Sequence, residues 1–120
     1  MVDVIKVIDG ATATTTSQAI PIGDAKKVVL FCTRSVHVSG NTVFSATVSP
    51  DGTTYYTYNK WISNLANANT EGETRVASVT LASATSNFLT MDPADFFGYI
   101  KVTATETTDG THDAWLIIEY

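Results

Sequence analysis

Short runs rich in Val, Ile, Thr, Tyr and Phe follow one another along this chain, and each is closed by Gly, Pro, Asn or Asp. No segment of useful length carries the 3.6-residue periodicity of a capped helix; extended runs between turn signals are the pattern of an antiparallel sandwich or barrel. Strands are expected at about Val2–Ile8, Lys26–Thr33, Thr42–Ser49, Thr54–Trp61, Thr74–Leu81, Phe88–Met91, Tyr99–Glu106 and Asp113–Glu119, with shorter pieces at Gln18–Ile22 and Val36–Val38. Asp-Gly recurs in "SPDGTT" (Ser49–Thr54) and "TTDGTH" (Thr107–His112). Glycine supplies the positive φ of primed turns, so each Asp-Gly predicts a hairpin. Thr42–Ser49 should pair with Thr54–Trp61, and Tyr99–Glu106 with Asp113–Glu119.

The alternation also predicts the buried faces. In "YIKVTAT", Ile100, Val102 and Ala104 share one side; in "VFSATVS", Phe44, Ala46 and Val48 do. "KVVLFC" and "AWLIIE" are apolar on both sides. Ala114, Leu116 and Ile118 can fill a core, which leaves Trp115 and Ile117 on a second surface that needs cover. "MDPADFFG" offers Asp92 and Pro93 as the start of one helical turn, with Phe96 and Phe97 placed to plug an end of the fold. The Asn-rich stretch Ser63–Glu73 reads as a long loop.

With 120 residues and 44% hydrophobic content, the chain suits one globular domain, 1–120, an all-β antiparallel β-sandwich of jelly-roll or Ig-like type. The N-terminal strand is a candidate for exchange with a neighbour. Threonine occupies twenty positions, and its branched side chain favours extended backbone. A net charge of −5, with basic residues scattered apart from Lys26-Lys27, argues against nucleic acid as a partner. No run is long enough to cross a bilayer as a helix, and the first residues lack the basic and apolar regions of a signal peptide. Synthesis in the cytoplasm is therefore expected.

Candidate chemistry is thin. The single cysteine, Cys32, lies in an apolar run and reads as a buried thiol. His112 stands beside Asp113, yet no nucleophile accompanies the pair, and Cys32, His37 and His112 have no metal-ligand spacing. Asp92 with Asp95, or Asp109 with Asp113, could hold calcium weakly, but capping and turn formation explain both pairs more simply. No enzyme activity and no cofactor are expected. Large rings are the stronger signal: Tyr56 and Tyr58 share one side of their strand, while Tyr55 and Trp61 share the other. Such rings stack on sugars or anchor protein interfaces. Tyr56, Tyr58, Trp61, Trp115 and Ile117 are the candidate interface residues.

The succession "FSATVSPDGTTYYTYNKWI", "TRVASVTLA" and "MDPADFFGYIKVTATETTDGTHDAWLIIEY" resembles the small β-sandwich auxiliary proteins of tailed phages and related prokaryotic viruses, the capsid decoration or cement type. The resemblance spans about Phe44 to Tyr120 and rests on an "S-x-DG-x-x-Y" hairpin and an "F-x-Y-I-K-V" strand. It implies a virion protein that binds shell subunits as a symmetric homo-oligomer, often a trimer, and it brings no catalytic or cofactor residues. The alternatives are a carbohydrate-binding β-sandwich module and a subunit of an extracellular filament.

Overall fold

The computed structural model describes residues 1–62, 73–93 and 98–120, apart from the side chains of residues 60–62 and 73–76. Ten strands follow in order: β1 (Val2–Ala11), β2 (Thr15–Thr16), β3 (Ile20–Pro21), β4 (Lys27–Ser49), β5 (Tyr56–Thr57), β6 (Asn59–Ile62), β7 (Glu73–Val76), β8 (Ser78–Leu81), β9 (Ser86–Met91) and β10 (Tyr99–Glu119). All pairings are antiparallel. Eight strands form one open sheet, and β6 and β7 form a separate pair.

Two long strands set the architecture. β4 has 23 residues and β10 has 21, and they pair along their lengths from Tyr99↔Ser49 to Glu119↔Lys27. A straight 23-residue strand would reach about 75 Å at roughly 3.3 Å per residue. The longest extent of the molecule is 39 Å, so both strands bend. At the bend, the ladder shifts register between Asp109 and Gly110 and again between Thr111 and His112. Gly40 and Thr108, opposite each other, both have positive φ, at 77° and 80°.

The bend divides the sheet into two arms. The first carries β1, the C-terminal half of β10, the N-terminal half of β4, and β9. The second carries β2 and β3 beside the N-terminal half of β10, with β8 and β5 beside the C-terminal half of β4. Away from the bend, even-numbered residues of both long strands point inward. Val28, Leu30 and Cys32 from the first arm join Phe44, Ala46 and Val48 from the second in one core, with Ile100, Val102, Ala104, Ala114, Leu116 and Ile118. The expected inward faces are therefore the observed ones, and each large side chain buried there contributes roughly 1.5–3 kcal/mol.

The expected hairpin at Thr107–His112 does not form. Tyr99–Glu106 and Asp113–Glu119 are successive parts of β10, and both pair with β4 rather than with each other. Asp-Gly here marks a bulged bend, where one strand turns a corner while its partner follows. Likewise Lys26–Thr33, Val36–Val38 and Thr42–Ser49 merge into β4.

The first Asp-Gly does reverse the chain. Asp51 Oδ1 accepts from the Thr53 and Thr54 amides at 2.8 and 3.0 Å, and Ser49 Oγ accepts from Gly52 N at 2.9 Å. The returning strand pairs with β4 at Tyr56 and Thr57, and the Tyr58 amide donates to Ala46 O at 2.9 Å, before β6 leaves to join β7 and β8 takes the neighbouring stretch of β4. Phe96 and Phe97 of the expected plug, Asp95, and the loop at 63–72 lie outside the described residues.

Candidate protein-docking face

The ladder of the first arm aligns apolar side chains on its outer face. Phe88 of β9 lies opposite Phe31 of β4, Phe31 opposite Trp115 of β10, and Trp115 opposite Lys6 of β1. The next row runs Thr90, Val29, Ile117, Val4 in the same strand order. Directly paired residues share a face, so two rows cross the four strands, each with three apolar groups side by side, closed by Lys6 at one end and Thr90 at the other. Phe88 is 61% exposed and Val4 65%, while Phe31, Val29, Trp115 and Ile117 are half-buried by one another. The Phe31 and Trp115 rings sit 5.6 Å apart and tilted by 56°. Lys6 Nζ lies 5.1 Å from the Trp115 ring centroid and pairs with Asp9 at 2.8 Å and Asp113 at 3.4 Å, making a polar rim. The bond to Asp9 is the main cause of the raised pKa of Lys6.

The outer face of the second arm is different. Thr16, Thr103, Ser45 and Ser78 form one row across it, and Thr105, Val43 and Thr80 another. Thr16 and Thr103 share a hydroxyl hydrogen bond at 3.2 Å. Hydroxyl-rich strands of this kind keep a sheet face wetted and are at ease in water. The two outer surfaces of one bent sheet thus have opposite character, and the apolar one is the candidate site.

The five expected interface residues divide. Trp115 and Ile117 lie together on the apolar face. Tyr56 is 61% exposed at the short strand β5, on the other arm. Tyr58 is a correction: at 3% exposure it belongs to the core, and its hydroxyl accepts from the Asp92 amide at 3.1 Å. Inward alternation from β5 turns it that way, so it presents no surface to a partner. Trp61 has its backbone in β6, opposite Thr74, and its side chain is outside the described residues. Phe31, Phe88, Val29 and Val4 were missing from the sequence reading. The two-sided apolar pattern of "KVVLFC" was their signal, but pairing Phe88 with Phe31 requires the ladder.

A second cluster fills the bend. Arg34, Thr42 and His112 are fully buried, and the Glu106 side chain is 2% exposed. Arg34 Nη2 donates to the Ser39 and Asp109 carbonyls at 2.8 and 2.9 Å and lies 3.2 Å from Glu106 Oε2. Its Nη1 donates to Thr42 Oγ1 at 3.1 Å, and Thr42 in turn donates to Glu106 Oε1 at 2.9 Å. His112 Nδ1 donates to the same carboxylate oxygen at 3.2 Å. These groups clasp the two arms across the corner, sealed from solvent.

The adjacent pair His112 and Asp113 does not act together. Neighbours on a strand point to opposite faces, so His112 meets Glu106 inside while Asp113 faces Lys6 and accepts from the Gly10 amide at 2.7 Å outside. Cys32 is fully buried, and burial pushes its thiol up to about 12.

No protein-family model matches the chain, and no characterised protein matches it in sequence. Its architecture does have counterparts among solved structures. The fold is shared with a prophage-derived protein. The SPBc2 prophage-derived protein YomS is similar with a TM-score of 0.64 at 8% identity, over 99% of this chain and 94% of that one. Chains from infectious bursal disease virus are more distant. The Gx strain gives a TM-score of 0.42 at 11% identity, and the Gt strain 0.34 at 15%, each over 33% of the viral chain. At 8% identity the likeness to YomS is one of fold.

Proposed function

We propose that this protein is a virion-associated structural component that docks on shell subunits through the outer face of its first arm, as a symmetric oligomer and without catalysis. The observation that carries this reading is the contiguous row Phe88, Phe31, Trp115, with Val29, Ile117 and Val4 beside it, set against a hydroxyl-covered face on the other arm. Support comes from the fold shared with a prophage-derived protein.

The size of the face shapes the mechanism. Four strands about 4.8 Å apart and two rows of side chains make a patch on the order of 300 Å². A stable pairwise interface buries roughly 800 Å² on each partner. One patch therefore holds weakly, and several patches on one oligomer, each meeting an equivalent shell site, hold by avidity. A protein partner suits the face better than a sugar does. The Phe31 and Trp115 rings tilt into each other and Lys6 overhangs the indole, so no flat platform is left for a pyranose.

The test is mass spectrometry of particles purified from cells that carry the encoding genome. The wild-type chain is expected in the particles and a Phe88→Asp, Ile117→Asp variant is expected to be lost from them while remaining folded. Absence of the wild-type chain from the particles, or undiminished incorporation of the variant, would refute the assignment.

A further inference from the structure

We propose that β1 is a docking edge for a second copy of this chain, the two β1 strands pairing antiparallel about a two-fold axis at Val4. This deepens the reading of a symmetric oligomer by naming the contact between copies. The hydrogen-bond phase of the ladder is the starting point. Tyr120 N donates to Met1 O at 3.0 Å, and Met1 and Tyr120 continue the β1–β10 register. Bonded and non-bonded pairs alternate along an antiparallel ladder. Asp3 and Ile5 therefore turn their backbone groups toward β10, and Val2, Val4 and Lys6 turn theirs outward. Among the described residues, nothing bonds those outward groups. An open groove of about 370 Å³ lies beside β1, between Ile5–Val7 and the segment Thr16–Ile20.

The opposite edge of the same arm is defended. Arg34 N donates to Thr85 O at 2.9 Å, so in β9 the groups of Ser86, Phe88 and Thr90 point outward. There the Asn87 side chain folds back and accepts from the Phe88 amide at 2.8 Å, occupying a donor that a further strand would need. Edges are normally blunted by such devices. β1 carries Asp3 and Lys6, but the Lys6 ammonium is drawn back over the Trp115 ring to Asp9 and Asp113, and the ladder is regular over Val2–Lys6, with the first register shift falling after Lys6.

The sequence of β1 selects a copy of itself as the added strand. About an axis at Val4, Val4 meets Val4 of the copy, Val2 meets Lys6 and Asp3 meets Ile5, so no like charges are opposed and every outward group of Val2, Val4 and Lys6 is used. A shift toward the N-terminus sets Asp3 against Asp3, which costs free energy. A shift toward the C-terminus runs the pairing into the irregular stretch after Lys6. The chosen register also carries Val2 and Val4, exposed at 57% and 65%, into one apolar surface that is continuous across both copies.

The experiment is multi-angle light scattering of the purified full chain over a concentration series, with Val4→Pro as the discriminating variant. Proline removes the outward amide of Val4 while sparing the ladder to β10, where edge strands tolerate it. The wild type is expected to dimerise, and Val4→Pro to remain monomeric with an unchanged circular dichroism spectrum. Val4→Cys is expected to yield a disulfide-linked dimer on mild oxidation. A wild type that stays monomeric throughout, or a dimer untouched by Val4→Pro and not cross-linked by Val4→Cys, overturns the proposal. A monomeric wild type also removes the oligomer and its avidity from the proposed function, whereas a dimer that ignores both Val4 variants overturns only the β1 contact; the apolar face is probed separately by Phe88→Asp, Ile117→Asp.

Discussion

Gly110 lies so close to Arg34 that a Cβ placed on it would fall inside the guanidinium, 2.6 Å from Nε and nearer still to Nη2. The contact explains why glycine stands at a position whose φ is not positive. Arg34 reaches over the backbone of β10 to bind the Asp109 carbonyl and Glu106, and only a bare α-carbon leaves room. The corner of the sheet is thereby built from a side chain on one long strand and a missing side chain on the other.

Gly110→Ala should therefore destabilise the fold by several kcal/mol, in the range of overpacked cores, about 1–3 kcal/mol or more. Gly40→Ala should be worse, since its Cβ would overlap the Thr107 backbone and its φ is +77°. Gly10→Ala is the control: nothing lies near its Cβ, so only the positive φ matters, about 1 kcal/mol. Urea unfolding followed by tryptophan fluorescence ranks the three, and equal losses would contradict the steric account.

Removing one charge from the corner should cost more than removing two. Arg34→Met leaves the Glu106 carboxylate buried without its cation, and breaking a buried pair in this way costs about 3–5 kcal/mol. Arg34→Met combined with Glu106→Gln should recover part of that loss, because the residual groups are neutral. A double-mutant cycle on unfolding free energies measures the coupling, and strict additivity would show that the pair does not interact.

Cys32 should be inert in the folded chain. Its thiol is fully buried and raised to about 12, so an aromatic disulfide reagent at pH 8 should react only after denaturant is added. The sign for stability follows. An unfolded thiol ionises near its ordinary value of 9.0 and the folded one does not, so the unfolded state gains as pH rises from about 9 toward about 12. Cys32→Ala should lose this alkaline sensitivity, as read from denaturation midpoints between pH 8 and 11.

Asp51 gives the opposite dependence. Amide hydrogen bonds from Thr53 and Thr54, then the Ser49 hydroxyl, lower its pKa from the ordinary 3.8. A folded-state pKa below the unfolded one contributes stability above pH 3.8 that disappears as pH falls through the lowered value. Asp51→Ala should thus be less stable than wild type near pH 7 and should match it in strong acid. Parallel titrations of thermal midpoint test this, and a gap that widens with acid would rule out the turn carboxylate as its source.

Much of the architecture is readable without coordinates. The alternation in "VFSATVS" and "YIKVTAT" assigns Phe44, Ala46, Val48, Ile100, Val102 and Ala104 to the core, because side chains in a strand must alternate. The two-sided apolar character of "AWLIIE" likewise announces an outer surface at Trp115 and Ile117. "SPDGTT" reverses the chain as its composition dictates, since Asp51 and Ser49 satisfy the turn's amides locally.

Long-range pairing is another matter. "TTDGTH" has the same local chemistry as "SPDGTT", yet it bends one strand instead of joining two, because β4 offers a partner along the whole of Tyr99–Glu119 and outcompetes a local hairpin. Arg34 occupies a core position in the even-numbered register of β4, and its partner Glu106 is distant in sequence, so nothing nearby in the chain reveals that the charge is neutralised. Phe88 and Phe31 become neighbours only through the β4–β9 ladder. Local alternation decides which way a side chain points; which other side chain it meets depends on the register of strands brought together from far apart, and that is a property of the folded whole.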